Sequence, residues 1–545
     1  MRIFFAICAL LLLAGTLTYL TQPEKQSEVP IMYWVVDPAP ARPEQIDLFH
    51  QWLVENDYGN TFQIQTMDDL NQFRALKWSE NIREAIVANN PAGEKVFAKE
   101  TTGADLPMTI VAPPVEMRLD SASNDLYKKL VQGVSGVSGD VIECYSGGQQ
   151  MQFLASGGML ADVTESAKES GFTPDRTYKA LAPSLYYDGK QYAFPRNVAQ
   201  TMYWVNKDVF AKNDQPLPPD RWTIETFEER GKAYVEAANR GSERQMWFFA
   251  DRALKNELRR SLGLSMFNET MTTCTLDDPR SAHVLALIHK WTYEDRILPS
   301  AADRASFETE GGWGGQSFQL FKSGRYALFA SGRWALMLFR QFGAMELAVV
   351  EPPYGTMPNT ILSGGQSTVY AAAKNKRFAE LFLAYMAGES YNMQIIRSGD
   401  ALPPNPVYTE TQEYLRPKEY PNEWGTHEMW SEAAKNIAVT QSFSPYVLPV
   451  TVLRFDKDAE DEVMNDRMTP EVAATTLGAQ VNAEIARNIR DNAKLRAKYE
   501  EDVALQKKID EARAAGRKVP AAWIKNPFHV RWYEFQGWLE DAEQN

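Results

Sequence analysis

Apolar residues in this chain follow two rhythms. Short unbroken runs at 31–36 (IMYWVV), 108–117, 140–144, 326–330, 347–353 and 369–373 predict buried strands. Stripes returning every three or four positions predict helices. Ile46, Leu48, Phe49 and Trp52 mark one over 43–55, and Phe318, Leu320 and Phe321 a short one. Phe378, Ala379, Phe382, Leu383 and Met386 mark a third over 377–386. Further helices are expected at 70–88, 123–132 and 468–489. Stop and start signals agree with these bounds. Lys322-Ser323-Gly324 is a basic last turn with a glycine cap, Thr223 can cap a helix, and Thr469-Pro470-Glu471 can open one.

Both ends of the chain depart from this alternation. Arg2 precedes an apolar run, 3–13, and the small residues Ala14, Gly15 and Thr16, which is the layout of a secretory signal over residues 1–22. Thr16 stands where a lipoprotein signal would need cysteine, so no lipid is expected there, and Cys8 lies inside the apolar run. Residues 3–20 are also just long enough for an uncleaved membrane tether. At the other end, 491–517 is charged and helical in character, and 519–539 is aromatic. Trp532, Phe535 and Trp538 are spaced to form one apolar helix face, expected to fold back on the protein's own surface, with docking to another protein as the alternative.

Composition narrows the class. A length of 545 residues implies more than one core. Hydrophobic content of 44% against 23% charged is globular, and a net charge of −14 argues against a general nucleic-acid binder. Three cysteines and five histidines, all scattered, give no disulfide framework, no metal-ligand spacing and no cofactor motif. Cys144 and Cys274 could pair only if the fold brought them together. The 14 tryptophans can fill cores or stack on sugar faces.

Several segments, in order, carry a resemblance. Phe321, Gly324, Ala327, Gly332 and Trp334 fit a pattern F-x-x-G-x-x-A-M-x-x-x-G-P-W, with Arg333 where the pattern has proline. Asp188-Gly189-Lys190, Tyr192 and Pro195, then Asn206-Lys207-Asp208 and Phe210, fit D-G-K-x-Y-x-x-P followed by a strand ending Y-N-K. The stretches 157–163 (GGMLADV), 218–227 (PPDRWTIETF), 363–386 and 399–404 (GDALPP) agree in the same order. Together they resemble the family 1 extracellular solute-binding proteins, the receptors of sugar-importing ABC transporters.

That resemblance implies an α/β fold of the type II periplasmic-binding-protein kind, with two lobes of mixed sheets, discontinuous chain and a central ligand cleft. Lobe 1 would be 30–195 with 354–400, carrying an insertion near 56–106 that is longer than the family needs. Lobe 2 would be 196–353 with 401–490, and 491–545 an extension. The implied function is capture of a mono- or oligosaccharide and delivery to a permease, in the periplasm or outside the cell, without catalysis. Implied ligand contacts are Asp37 after the first strand and Tyr145, Ser146 and Gln149 in a glycine-bearing loop. Arg196, Gln200 and Tyr203 would lie where the chain crosses between lobes. Trp247 or Phe248, Trp334 beside Arg333, and Trp313 presented by its glycine loop would offer rings, with core packing as the competing role for Trp247, Phe248 and Trp334. Gly364, Gly365 and Gln366 would add contacts after the second crossing at 347–353. Two cations, Arg196 and Arg333, would favour an acidic sugar. The competing functions are a secreted carbohydrate-active enzyme, for which Asp37 and Glu310 are the available carboxylates, and an anchored sugar receptor without transport.

Overall fold

The run IMYWVV forms the strand Ile31–Val36 in the computed structural model of the protein, which describes residues 28–121, 126–145, 148–307 and 315–540. The signal segment, Ser146, Glu310 and Trp313 lie outside the described residues. The chain divides into two compact units. The first holds the described residues up to 121 with Gly139–Val141 and Ala373–Ala379, and the second holds the rest.

In the first unit Ile31–Val36 pairs in parallel with Glu116–Ser121, Ile31 opposite Glu116. The helix Arg42–Glu55 buries Ile46, Phe49 and Leu53, as its spacing predicts. The single strand expected over 108–117 is two. Met108–Ala112 runs antiparallel to Asn60–Ile64, and Pro113-Pro114 then breaks the ladder before Glu116, because proline has no N–H to donate. The helix expected over 70–88 is also two, Met67–Ala75 and Glu80–Asn89, each opened by a side-chain cap, Thr66 and Ser79. Leu70, Phe73, Trp78, Ile82, Ile86, Val96 and Ile110 bury one another here, so this segment has its own core.

The second unit is built on a four-stranded mixed sheet in the order Phe248–Ala250, Tyr326–Ser331, Met202–Asn206, Leu347–Val350. The first pair is parallel and the others antiparallel. Side chains alternate across it. Met202 and Trp204 enter a core with Phe318, Phe321, Phe339 and Trp430, and Tyr203 and Val205 enter another with Phe227, Phe249 and Trp291. The helix Gln316–Lys322 leads into Tyr326–Ser331 through Gly324, whose φ of 74° suits the turn.

Two further groups of strands bring together distant parts of the chain. The strand Val141–Cys144, which lies in this unit from Ile142 on, is followed in its sheet by Gln366–Val369 and Ala193–Pro195. The strand expected at 369–373 thus begins and ends earlier. Ala438–Thr440, Thr360–Ser363 and Ala199–Gln200 form a three-stranded sheet. Cys144 and Cys274 are both buried and free, and burial pushes each thiol up to about 12.

The C-terminal extension comprises the helices Ala493–Ala514 and Pro527–Gln536. The latter ends at Gly537, with φ 71°, so Trp538 leaves the helix and the three-residue aromatic face does not form. Trp538 packs edge-on against Tyr533 instead, 5.5 Å away. Trp532 rests on Gly263, where a Cβ would come within 2.4 Å of the indole. Among the described residues no helix is long and apolar enough to cross a membrane.

Candidate functional site

Pro195 ends its strand and delivers Arg196 into the interior, where the side chain is withdrawn from water. Its Nε donates to Glu143 Oε1 at 3.2 Å and its Nη1 to Asp400 Oδ2 at 3.2 Å. Asn197 Nδ2 donates to the other Asp400 oxygen at 2.9 Å, and Ser367 Oγ to the other Glu143 oxygen at 2.7 Å. Two buried carboxylates thus face one guanidinium, and hydroxyl and amide donors take remaining lone pairs. Buried charges persist only when paired and hydrogen-bonded in this way.

The glycine pair Gly364-Gly365 serves this cluster. A Cβ on Gly365 would lie 2.2 Å from Glu143 Oε1 and 2.7 Å from Arg196, and one on Gly364 would lie 2.1 Å from the Asn197 carbonyl. Their close approach is to the protein's own ion pair and backbone. Next in the strand, Gln366 is fully buried and its Nε2 donates to Ser184 Oγ at 2.6 Å. Its Oε1 has no hydrogen-bond partner among the described residues, and neither has Oε1 of buried Gln200.

Ser184 leads to a cavity. Gly148, with φ 90°, sits so close to Ser184 that a Cβ would meet its carbonyl at 2.4 Å, and the helix Gln149–Ser156 starts there. Gln149 therefore opens a helix and does not belong to a loop. Beside it lies a cavity of about 250 Å³. One part of its lining is Gln149, Gln152, Ser184, Tyr186, Tyr187 and Asp188; another is Thr270, Met271, Thr440, Ser442 and Phe443; a third is Lys498, Asp502 and Lys525 from the extension. Asp188 is on a tight turn at φ 50° and exposed. Asp502 is buried; it accepts from the Tyr446 hydroxyl at 2.6 Å and pairs with Lys525. A wider surface depression of about 740 Å³ lies elsewhere, near Arg340, Tyr420 and Trp424. Arg340 there donates through Nε and Nη2 to the two Glu423 carboxylate oxygens, at 2.8 and 2.9 Å, so its charge is spent within the protein.

The other nominated residues are distributed differently. Arg333 is buried, donates to the Ala401 carbonyl and to His427 Nδ1 at 3.3 Å, and lies over the Tyr414 ring at 4.9 Å. Burial lowers the His427 imidazole to about 4, so it is neutral and can accept from Arg333. Tyr203 is in the core with its hydroxyl on the Arg252 carbonyl at 2.9 Å, and Phe248 is in the opposite core. Gln200 is held by the Trp430 carbonyl. Trp247 is half-buried with Arg325 over its ring at 5.2 Å. Trp334 is half-buried, lies against Gly332 and approaches Phe318 at 5.6 Å. Tyr145 carries Lys129 over its ring at 4.8 Å. In the first unit Asp37 pairs with buried Arg42 at 3.2 Å.

Among the described nominated residues, then, only Gln149 lines the cavity, with Gln366 one hydrogen bond behind it through Ser184. Sequence reading missed Ser184, Tyr187, Lys498 and Lys525 as lining and Glu143 and Asp400 as partners. The Asp188-Gly189 turn was the one signal near Tyr187.

A family model described as bacterial extracellular solute-binding protein matches residues 108–422, more than half of the chain. No curated protein matches the sequence. Solved structures share the fold at low identity. An ABC substrate-binding protein of Listeria monocytogenes in complex with cycloalternan is 18% identical, with a TM-score of 0.62 over 84% of this chain and 99% of that one. A maltose/maltodextrin-binding domain of Bdellovibrio bacteriovorus bound to maltotriose is 14% identical, with a TM-score of 0.57 over 84% and 100%. A Mycobacterium tuberculosis protein in complex with glycerophosphocholine is 14% identical, with a TM-score of 0.56 over 69% and 92%.

Proposed function

This chain belongs to the bacterial extracellular solute-binding proteins and has a mixed α/β fold of the type II periplasmic-binding-protein kind, and from that premise we propose that it captures a carbohydrate outside the cytoplasm and passes it to an ABC permease. The observation that carries the carbohydrate reading is the lining of the 250 Å³ cavity. Three rings, Tyr186, Tyr187 and Phe443, alternate there with the hydrogen-bonding groups of Gln149, Gln152, Ser184, Thr270, Thr440 and Ser442. Rings suit the C–H faces of a pyranose, and hydroxyl and amide groups suit its alcohols. The cycloalternan and maltotriose carried by two similar structures support the same class.

In this reading the lobes are 30–195 with 354–400 and 196–353 with 401–490, the crossings at Arg196–Gln200 and 347–353 are the hinge, and Gly364–Gln366 packs beside the first of them. Arg196 holds the hinge together and does not touch ligand. Trp334 keeps a half-exposed indole and stays a secondary contact, and residues 3–20 direct export or tether the chain. The cavity carboxylates are Asp188, in solvent, and Asp502, committed to Tyr446 and Lys525, so no acid–base pair is set up and the ligand leaves unchanged.

The test is a thermal-shift screen of glucose, maltose, maltotriose and related sugars, since a ligand bound only by the folded state raises the melting temperature. Calorimetry and chromatographic recovery follow on any hit. A bound sugar recovered intact is expected. Its hydrolysis would overturn the receptor reading.

A further inference from the structure

The sequence suggested an acidic ligand because of Arg196 and Arg333. Neither supports it, since Arg196 is claimed by Glu143 and Asp400, and Arg333 is buried on Ala401, His427 and Tyr414. The cations that do line the cavity, Lys498 and Lys525, both come from the C-terminal extension. We propose that this extension is a wall of the binding site and that its two lysines select a sugar carrying an anionic substituent, a carboxylate, sulfate or phosphate. The proposal rests on the carbohydrate reading above.

The wall is anchored. Glu269 is the hub: its carboxylate accepts from Gln506 Nε2 at 2.9 Å, from Arg513 at 3.2 Å and from the Tyr533 hydroxyl, and its carbonyl accepts the Lys525 and Asn526 amides at 2.9 and 3.0 Å. Asn526 Nδ2 donates to Ser265 Oγ at 3.0 Å and the Phe267 carbonyl at 2.9 Å. Gln506 also accepts from Thr270, itself a lining residue. These bonds fix where the lysines project.

The charges are then uneven in what they can offer. Buried Asp502 holds Lys525 in place and takes the Tyr446 hydroxyl on its other oxygen, so it is already satisfied, while the Lys525 ammonium keeps donors in hand. Lys498 has no ion-pair partner among the described residues and lies 5.7 Å over the Tyr187 ring. An ammonium beside an aromatic face is positioned to meet an anionic group on a sugar stacked there. Asp188, the remaining carboxylate of the lining, is exposed on its turn and screened by solvent.

The experiment is calorimetry of the full chain with glucose, glucuronate, glucose 6-sulfate and glucose 6-phosphate, with maltose and maltotriose as neutral controls. At least one anionic hexose should bind about tenfold more tightly than glucose, the size of one close charge pair in a partly desolvated site. The three anions identify the substituent. That preference should vanish in Lys498→Gln and persist in Lys498→Arg, with an unchanged melting temperature in both. A lysine that only packs on Tyr187 would move the melting temperature and leave the preference alone. Equal affinity for glucose and its anionic forms, or a preference that survives both Lys498→Gln and Lys525→Gln, overturns the proposal. Tight neutral sugars without any acid preference sink this proposal alone; no binding of any sugar sinks the carbohydrate reading, and this one with it.

Discussion

Arg196 donates to two carboxylates, Glu143 and Asp400, and all three side chains are withdrawn from water. Replacing it by methionine would leave two like charges buried together. Arg196→Met is therefore expected to cost about 3–5 kcal/mol, read as a lower urea midpoint with the slope unchanged. Unchanged stability with lost sugar affinity would instead make Arg196 the ligand contact that its sequence position suggests. The end of the strand at Pro195 was legible in the sequence. The partners of Arg196 were not: Glu143 lies 53 residues away and Asp400 lies 204 away, and nothing local reports such pairing. His427 gives a second residue-scale expectation. Burial holds its imidazole at about 4, below the ordinary 6.5, so the unfolded chain takes up the proton first as pH falls. The stabilisation is complete above about 6.5 and is lost toward pH 4, at up to about 1.4 kcal/mol per pH unit. Asp251 acts in the opposite sense, because burial raises its carboxyl to about 6 and its contribution is lost as pH rises through that value. Comparing the pH slope of stability in the parent and in His427→Gln isolates the histidine. Equal slopes would show that it does not titrate there.

At the scale of elements, local chemistry told most where one side chain decides the outcome. Thr223 and Thr469 do cap the helices Ile224–Ala238 and Pro470–Asp491, accepting from the Thr226 and Val472 amides. The buried strands at 31–36 and 326–331 stand where unbroken apolar runs put them. Patterning failed where a breaker lay inside a run, as at Pro113-Pro114, or where a chain reversal ended a helix early, as at Gly537. It failed more broadly for the extension, whose aromatic content showed that it packs and not against what. The main polar anchor is an acidic residue earlier in the chain, Glu269, which collects Gln506, Arg513 and Tyr533. Hydrogen bonds to a charged group are each worth about 1.5–3 kcal/mol. Glu269→Ala should therefore loosen the extension as a whole, and trypsin should cut sooner at Arg513, Arg517 and Lys518. A digestion rate equal to the parent's would mean that Trp532 on Gly263 and the other apolar contacts suffice to hold it.

At the scale of the whole molecule, every residue lining the cavity belongs to the second compact unit, while the segment around 60–112 has a separate core. A ligand stabilises whatever its binding requires to be folded. At one hundred times its dissociation constant that is about 2.7 kcal/mol. This free energy should appear as slower amide exchange in the stretches that supply the lining, 149–188, 270–271, 440–445 and 498–527, and leave 60–112 nearly unchanged, because opening of a core that contributes no contact costs the complex nothing. The extension makes the measurement discriminating. If 498–527 slows together with 149–188, the C-terminal helices belong to the binding site. Should 149–188 and 440–445 slow while 498–527 exchanges as before, the ligand is held without the extension, and its lysines are bystanders at the rim. Uniform slowing that includes 60–112 would mean that binding is felt by the chain as one cooperative body, and that the separate core is not energetically separate.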